Sequence, residues 1–203
     1  MQLAPAQFPG PAVEDGARQV FVYRFPSSVY GYHVLASPIQ PEVAVAAITT
    51  YELGETVRLI NASVELDVRE AALRDWTLRI PADYTVVALA GADVADYAAE
   101  TAAAGGTRAL RVWFSRPVAG RQLLQVRLEK SQPAAAGEWA LPALQFPGAR
   151  SVRGHIGAVA TPGFRLAPVR VERLVEVPVS FFPRQSAGLQ QAWRLREADW
   201  TAD

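Results

Sequence analysis

The sequence predicts an all-β protein, an antiparallel β-sandwich with at most one or two short helices. Apolar residues recur at every second position, most completely from Ile60 to Arg69. There Ile60, Ala62, Val64, Leu66 and Val68 alternate with Asn61, Ser63, Glu65, Asp67 and Arg69. A period of two places one face on a core and the other in water. Such stretches recur at intervals of roughly 8 to 15 residues, between turns rich in Gly and Pro. No helical run alternates with them as the crossovers of a parallel sheet would require.

Taken in order, residues 1–16 carry Pro5, Pro9, Gly10, Pro11 and Gly16 among small residues, the composition of a linker. A sandwich domain then spans 17–203. Val20 to Phe25 reads as a strand closed by Pro26-Ser27-Ser28, and Tyr30 to Ala36 as a second extended run. Glu42 to Tyr51 is a third, turned by Leu53-Gly54-Glu55 into the long alternating strand. Upstream of Ile60 the parity is reversed at Val57 and Leu59, so a bulge or a passage between two sheets is expected at Leu59–Ile60.

Glu70 to Asp75 is compatible with a helical turn or an extended path; Ala71, Ala72 and Leu73 favour helix, and Glu70 and Arg74 pair four apart. Trp76 to Ile80 alternates again. Tyr84 to Ala90 is apolar almost throughout, as a strand covered on both faces should be. Ala92 to Ala104 reads as a short helix ending at Gly105-Gly106, or as an edge strand and loop. Thr107 to Ser115 and Arg121 to Lys130 read as a hairpin about the turn Arg116 to Gly120.

Ser131 to Gly137 is a Pro/Ala/Gly loop and marks a candidate internal boundary, which leaves two smaller sandwiches as the alternative to one large body. Val152 to Ala160 is a strand in which Gly154 and Gly157 permit close backbone approach or a bulge. Val169 to Val177 alternates. The tail from Leu189 is rich in helix formers. Its Trp193-Arg194-Leu195 with Trp200 parallels Tyr23-Arg24-Phe25 with Tyr30, so a further β unit beginning near residue 190 is an alternative there.

Composition narrows the function classes. Twenty basic residues balance twenty acidic ones, without the basic surplus that nucleic-acid binding uses to displace counterions. Lys130 is the lone lysine among those basic residues, a bias of GC-rich coding rather than of arginine-based recognition. With no cysteine, disulfides, thiol nucleophiles and thiolate metal sites are excluded. No apolar run reaches the length of about 18 residues that a spanning helix needs, so no membrane insertion is expected within the chain.

His33 and His155 are the two histidines, and neither has a second histidine or a carboxylate at ligand spacing. Each reads as an imidazole in a strand. Asp93, Asp96 and Glu100 read as a solvated face, not a facing carboxylate pair. The sequence holds no serine elbow, and Gly154 to Gly157 lies within strand character instead of forming a phosphate loop. Trp113 is out of phase with Leu110, Val112 and Phe114, so it faces solvent or a second sheet. Exposed aromatic rings on a sandwich face are platforms for pyranose rings. Tyr30, Tyr32, His33 and Trp113 are therefore the binding candidates, with core filling as the plainer account of the tryptophan. No catalytic residue, metal or cofactor is expected; an enzyme would need His33 or His155 to meet carboxylates from elsewhere in the chain.

The segments Trp76 to Pro81, Val87 to Gly91, Leu110 to Phe114 with Pro117 to Gly120, and Ser151 to Gly157 resemble β-rich segments of very large bacterial envelope proteins. These look like tandem β-domains from planctomycete- or verrucomicrobium-type organisms. The resemblance lies in strand pattern and turn placement over roughly residues 40 to 160. It implies a periplasmic or cell-envelope module of a larger chain and brings no functional residues with it. Two roles follow as expectations: a non-catalytic module with a structural or protein-interaction role, and a carbohydrate-binding module that engages a glycan through aromatic side chains.

Overall fold

The structure, a computed structural model, describes residues 2–3, 22–101, 106–184, 186–195 and 201–202. The chain divides into two units, Met1–Pro38 and Ile39–Asp203. In the first, strand β1 (Gln2–Leu3) pairs antiparallel with β2 (Val22–Tyr23), and residues 24–38 have no regular structure. The strand expected over Val20 to Phe25 is thus confined, among described residues, to Val22–Tyr23, and the run from Tyr30 to Ala36 is not a strand. Strand-forming composition yields a strand only where a partner supplies the ladder, and this stretch pairs aromatic rings instead.

The second unit is all-β. Its strands are β3 (Glu42–Leu53), β4 (Val57–Pro81), β5 (Thr85–Ala90), β6 (Val94–Ala99), β7 (Thr107–Ser131), β8 (Ser151–Ala160), β9 (Val171–Glu172), β10 (Leu174–Glu176), β11 (Leu189–Leu195) and β12 (Thr201–Ala202). The main sheet has the order β10-β11-β8-β3-β4-β7-β5, with β6 also beside β7, while β9 and β12 form a separate pair. The β3–β8 pairing is parallel; the other pairings among the described strands are antiparallel.

The two 25-residue strands β4 and β7 generate the layered architecture. Val57 to Val68 of β4 pairs with Ser131 to Gly120 of β7, and Leu73 to Pro81 pairs with Val118 to Thr107. Between the halves the register breaks, Glu70 takes φ 64° and Gly120 takes φ 72°. Both strands turn there together. At its far end the ladder closes with Ala82 N donating to Gly106 O at 3.0 Å, and the chain then returns to the start of the ribbon, where Thr85 pairs with Glu129. The ribbon is therefore doubled over, so that one pair of strands runs through both layers. Lys130 Nζ with Asp83 Oδ2 at 2.6 Å clasps the return to the start, and Arg108 donating to Tyr84 O at 2.7 Å fixes the turn at the far end.

This bend corrects two readings. Thr107 to Lys130 is one strand, not a hairpin; its halves pair successively with β4 and not with each other. Pro117 and Gly120 mark a bend, and composition alone does not separate a bend from a reversal. The passage between layers lies at Val68–Leu73, whereas at Leu59–Ile60 the register is unbroken on both sides. Leu59 and Ile60 are both buried because both faces of the sheet are covered there. Past the left-handed Glu70 the path to Asp75 is accordingly strand, not helix.

One core fills the space between the layers. Val43, Val45, Tyr51, Ile60, Leu66 and Leu128 come from the first layer, and Leu73, Trp76, Leu78, Leu110, Val112 and Phe114 from the second. The loop after β7 adds Trp139, Leu141 and Leu144, so residues 131–137 lie inside this unit. Tyr51, fully buried, donates its hydroxyl to Pro142 O at 2.6 Å, and burial pushes its pKa up, which keeps the proton in place. β5 is an edge strand with most of its residues exposed, among them Val87 at 49%. Its apolar run therefore does not mark a strand covered on both faces. β6 is the edge strand that was the alternative to a short helix, and β11, in the helix-forming tail, is an interior strand between β8 and β10.

On the outer face, the segment before β11 lays Phe182, 2% exposed, over Gly157. A Cβ at Gly157 would lie 2.9 Å from the Phe182 ring and 2.8 Å from Leu189, so the missing side chain admits the ring.

Candidate functional site

The aromatic candidates do not form one site. In the first unit Tyr30 stacks on Phe25 with centroids 3.9 Å apart and planes 7° from parallel, and Tyr32 meets Tyr23 at 5.7 Å and 53°. Both tyrosines are 60% exposed, and His33 beside them is exposed. One face of each tyrosine thus meets another ring of the same unit. Trp113 belongs to the second unit. It is half-buried on the outside of the second layer, with the Arg111 guanidinium 5.4 Å from its centroid. Arg111 is held at 3.1 Å by Asp75, directly across the ladder from Trp113. A cation over an indole is a favourable contact in its own right, and it takes the face a sugar ring would use.

Sequence reasoning missed a groove of about 380 Å³ on the outer face of the main sheet. Strand register builds it. One row across the sheet runs Arg194, His155, Ile48 and Ser63; the next runs Arg153, Ala46, Glu65 and Leu123. Small and aliphatic side chains on β3 form the floor, with arginines on one side and Leu123, 51% exposed, on the other. Burial, and then the charge of Arg194, hold the His155 imidazole below the usual histidine pKa.

Three carboxylates of this face already have partners. Glu65 meets Arg121 at 3.8 Å, Asp67 meets Arg69 at 2.6 Å, and Glu42 meets Arg150. The Arg69 hydrogen bond holds Asp67 below the usual carboxylate range. Among the described residues Arg153 and Arg194 make no ion pair, although the Arg153 charge also helps to hold Asp67 down. The shared parity of Arg153 and His155 is legible in the sequence; the contribution of Arg194 is not, because its segment reads as helix-forming.

Replacing Arg194 by serine is expected to raise the His155 titration midpoint, read by the imidazole proton resonances against pH. The folded chain accepts this proton less readily than the unfolded chain does. Stability therefore falls as pH drops through the ordinary histidine value, and the loss is complete below the folded value. Arg194→Ser should reduce that loss.

A second cavity, of about 220 Å³, lies between the loops around Trp139 and Leu166 and the strand residues Ala158 and Trp193. Both tryptophans are buried, so neither offers an open ring face. Among the described residues no group of three or more His, Cys, Asp or Glu could hold a metal ion, and no helix is long and apolar enough to cross a membrane.

No protein-family model matches the chain, and no curated protein sequence does. Solved structures resemble it distantly. An M1 zinc metallopeptidase mutant from Deinococcus radiodurans is 12% identical with a TM-score of 0.45, over 76% of this chain and 38% of that one. A non-cellulosomal cohesin from the hyperthermophilic archaeon Archaeoglobus fulgidus is 14% identical with a TM-score of 0.33, over 58% of this chain and 91% of that one. The chain thus spans little more than a third of the metallopeptidase. At these scores the likeness carries no argument about activity.

Proposed function

We propose that the chain is a non-catalytic β-sandwich module of a larger extracytoplasmic bacterial protein, with a structural or protein-interaction role. The observation that carries this reading is where the fold puts its chemistry. Apolar side chains fill the space between the layers. Charged groups lie on the outside, many in ion pairs such as Asp75–Arg111, Asp93–Arg116 and Asp83–Lys130. That arrangement suits a body that presents a surface better than one that encloses a reaction. The extracytoplasmic setting rests on the resemblance of strand and turn pattern to envelope-protein β-domains.

A glycan-binding role has one observation in its favour, the 60% exposure of Tyr30 and Tyr32. Retention on immobilised polysaccharide that is lost in Tyr30→Ala and Tyr32→Ala would establish it. The main reading is tested by incubating the folded chain with fluorogenic peptide, ester and glycoside substrates between about pH 5 and 8, where histidine and perturbed carboxylates change charge. No turnover above buffer is expected. Turnover abolished by His33→Gln, His155→Gln or Asp93→Asn would overturn it.

A further inference from the structure

We propose that the outer-face groove is a docking site for an extended acidic segment of a partner protein, one that alternates carboxylate and aliphatic side chains. The inference rests on the reading of the chain as an interaction module and names the partner's chemistry.

Charge is the first argument. Arg153 and Arg194 line the groove, both exposed and neither in an ion pair with a described residue, while Glu65, Asp67 and Glu42 of the same face are already matched to Arg121, Arg69 and Arg150. His155 stands directly across the ladder from Arg194, so no opposing charge separates the arginines. A cluster with unmatched positive charge is completed by an incoming carboxylate, which guanidinium groups bind with charge-assisted hydrogen bonds.

Spacing is the second. Arg153 and Arg194 sit in neighbouring rows of the sheet, offset by two residues along the strand direction. Two residues of extended chain advance about 7 Å, so every second side chain of an extended segment comes level with the next arginine. Carboxylates at alternate positions then turn toward β8 and β11. The intervening side chains turn the other way, over Ile48 and the exposed Leu123.

The lining separates a peptide from an acidic sugar. The residues that line the groove include no Phe, Tyr or Trp, and the half-buried His155 imidazole is their one aromatic ring. A pyranose would find no stacking platform there, whereas aliphatic side chains would find Ile48 and Leu123.

The test is titration of the full-length ¹⁵N-labelled chain at low ionic strength with a capped hexapeptide alternating aspartate and leucine. Two further probes are its asparagine counterpart and trigalacturonate. The expected result is saturable shifts confined to the groove strands, with His155 resonances moving among them. Binding should be at least about tenfold weaker for the asparagine peptide and for the R153S/R194S variant, and should be lost at high salt. If the double variant does not fold, the two single substitutions serve, each weakening binding severalfold.

Absence of saturable shifts, shifts indifferent to the arginine substitutions, or equal occupancy by trigalacturonate would each overturn the proposal. A groove silent to the peptide in a chain without turnover removes this partner alone. Turnover in the substrate assay removes the underlying reading.

Discussion

Gly154→Ala is expected to destabilise the chain by at least about 3 kcal/mol and to lower Tm by about 10 °C. A Cβ at Gly154 would collide with the carbonyl oxygen of Ala47, its partner in the parallel ladder between β3 and β8. The obstacle is main chain, so no side-chain rotation relieves it. Relief requires β8 to draw away from β3, and β11 and β10 hang on the far side of β8. Thermal unfolding followed by circular dichroism gives the measurement, with Gly31→Ala as the control, since a Cβ at Gly31 meets nothing within 4 Å. An unchanged Tm for Gly154→Ala would show that the two strands are not in this register.

Ile60→Ala should cost about 4 kcal/mol, within the range for aliphatic truncation in a packed interior, and Ile60→Val about 1 kcal/mol. Ile60 lies between Tyr51 of β3 and Leu128 of β7 in the same row of the sheet, and all three are 0% exposed. Three adjacent strands fix those neighbours, so little collapse into the vacated space is available. Equilibrium urea denaturation reads the loss as a lower midpoint at unchanged slope. A cost below that of Ile60→Val would place Ile60 outside the core.

The all-β class and the inner faces were legible because burial imprints a period of two. Val43, Val45 and Ala47 on β3 and the even positions from Ile60 to Val68 on β4 are buried as their alternation requires. Strand boundaries were legible where Gly and Pro stop the chain, as at Pro81. Partner choice was less so. The bend of β7 at Pro117 to Gly120 carries the residues of a hairpin turn, and what distinguishes them is the matching irregularity at Glu70 on another strand.

Apolar composition misled at β5, where Leu89 alone is buried while the exposed side chains around it are as apolar as core residues. The groove was hidden for a related reason. Its rows join residues as distant as Ser63 and Arg194, and that adjacency is created by the parallel β3–β8 pairing, a contact that no local pattern encodes. Of the aromatic candidates Tyr30, Tyr32 and His33 are exposed and Trp113 is half-buried, and the partners Phe25, Tyr23 and Arg111 that take their ring faces depend on geometry.

The doubled ribbon has a mechanical consequence. Where a sandwich is assembled from separate strands, its halves can part along the seam and loosen one at a time. Here β4 and β7 each cross from one sheet of the sandwich to the other, so the seam is stitched by covalent main chain. A fluctuation that frays one half pulls on the same two backbones that order the other. Slow amide protons on both halves should therefore exchange through a single shared opening, and the domain should rupture as a unit under load.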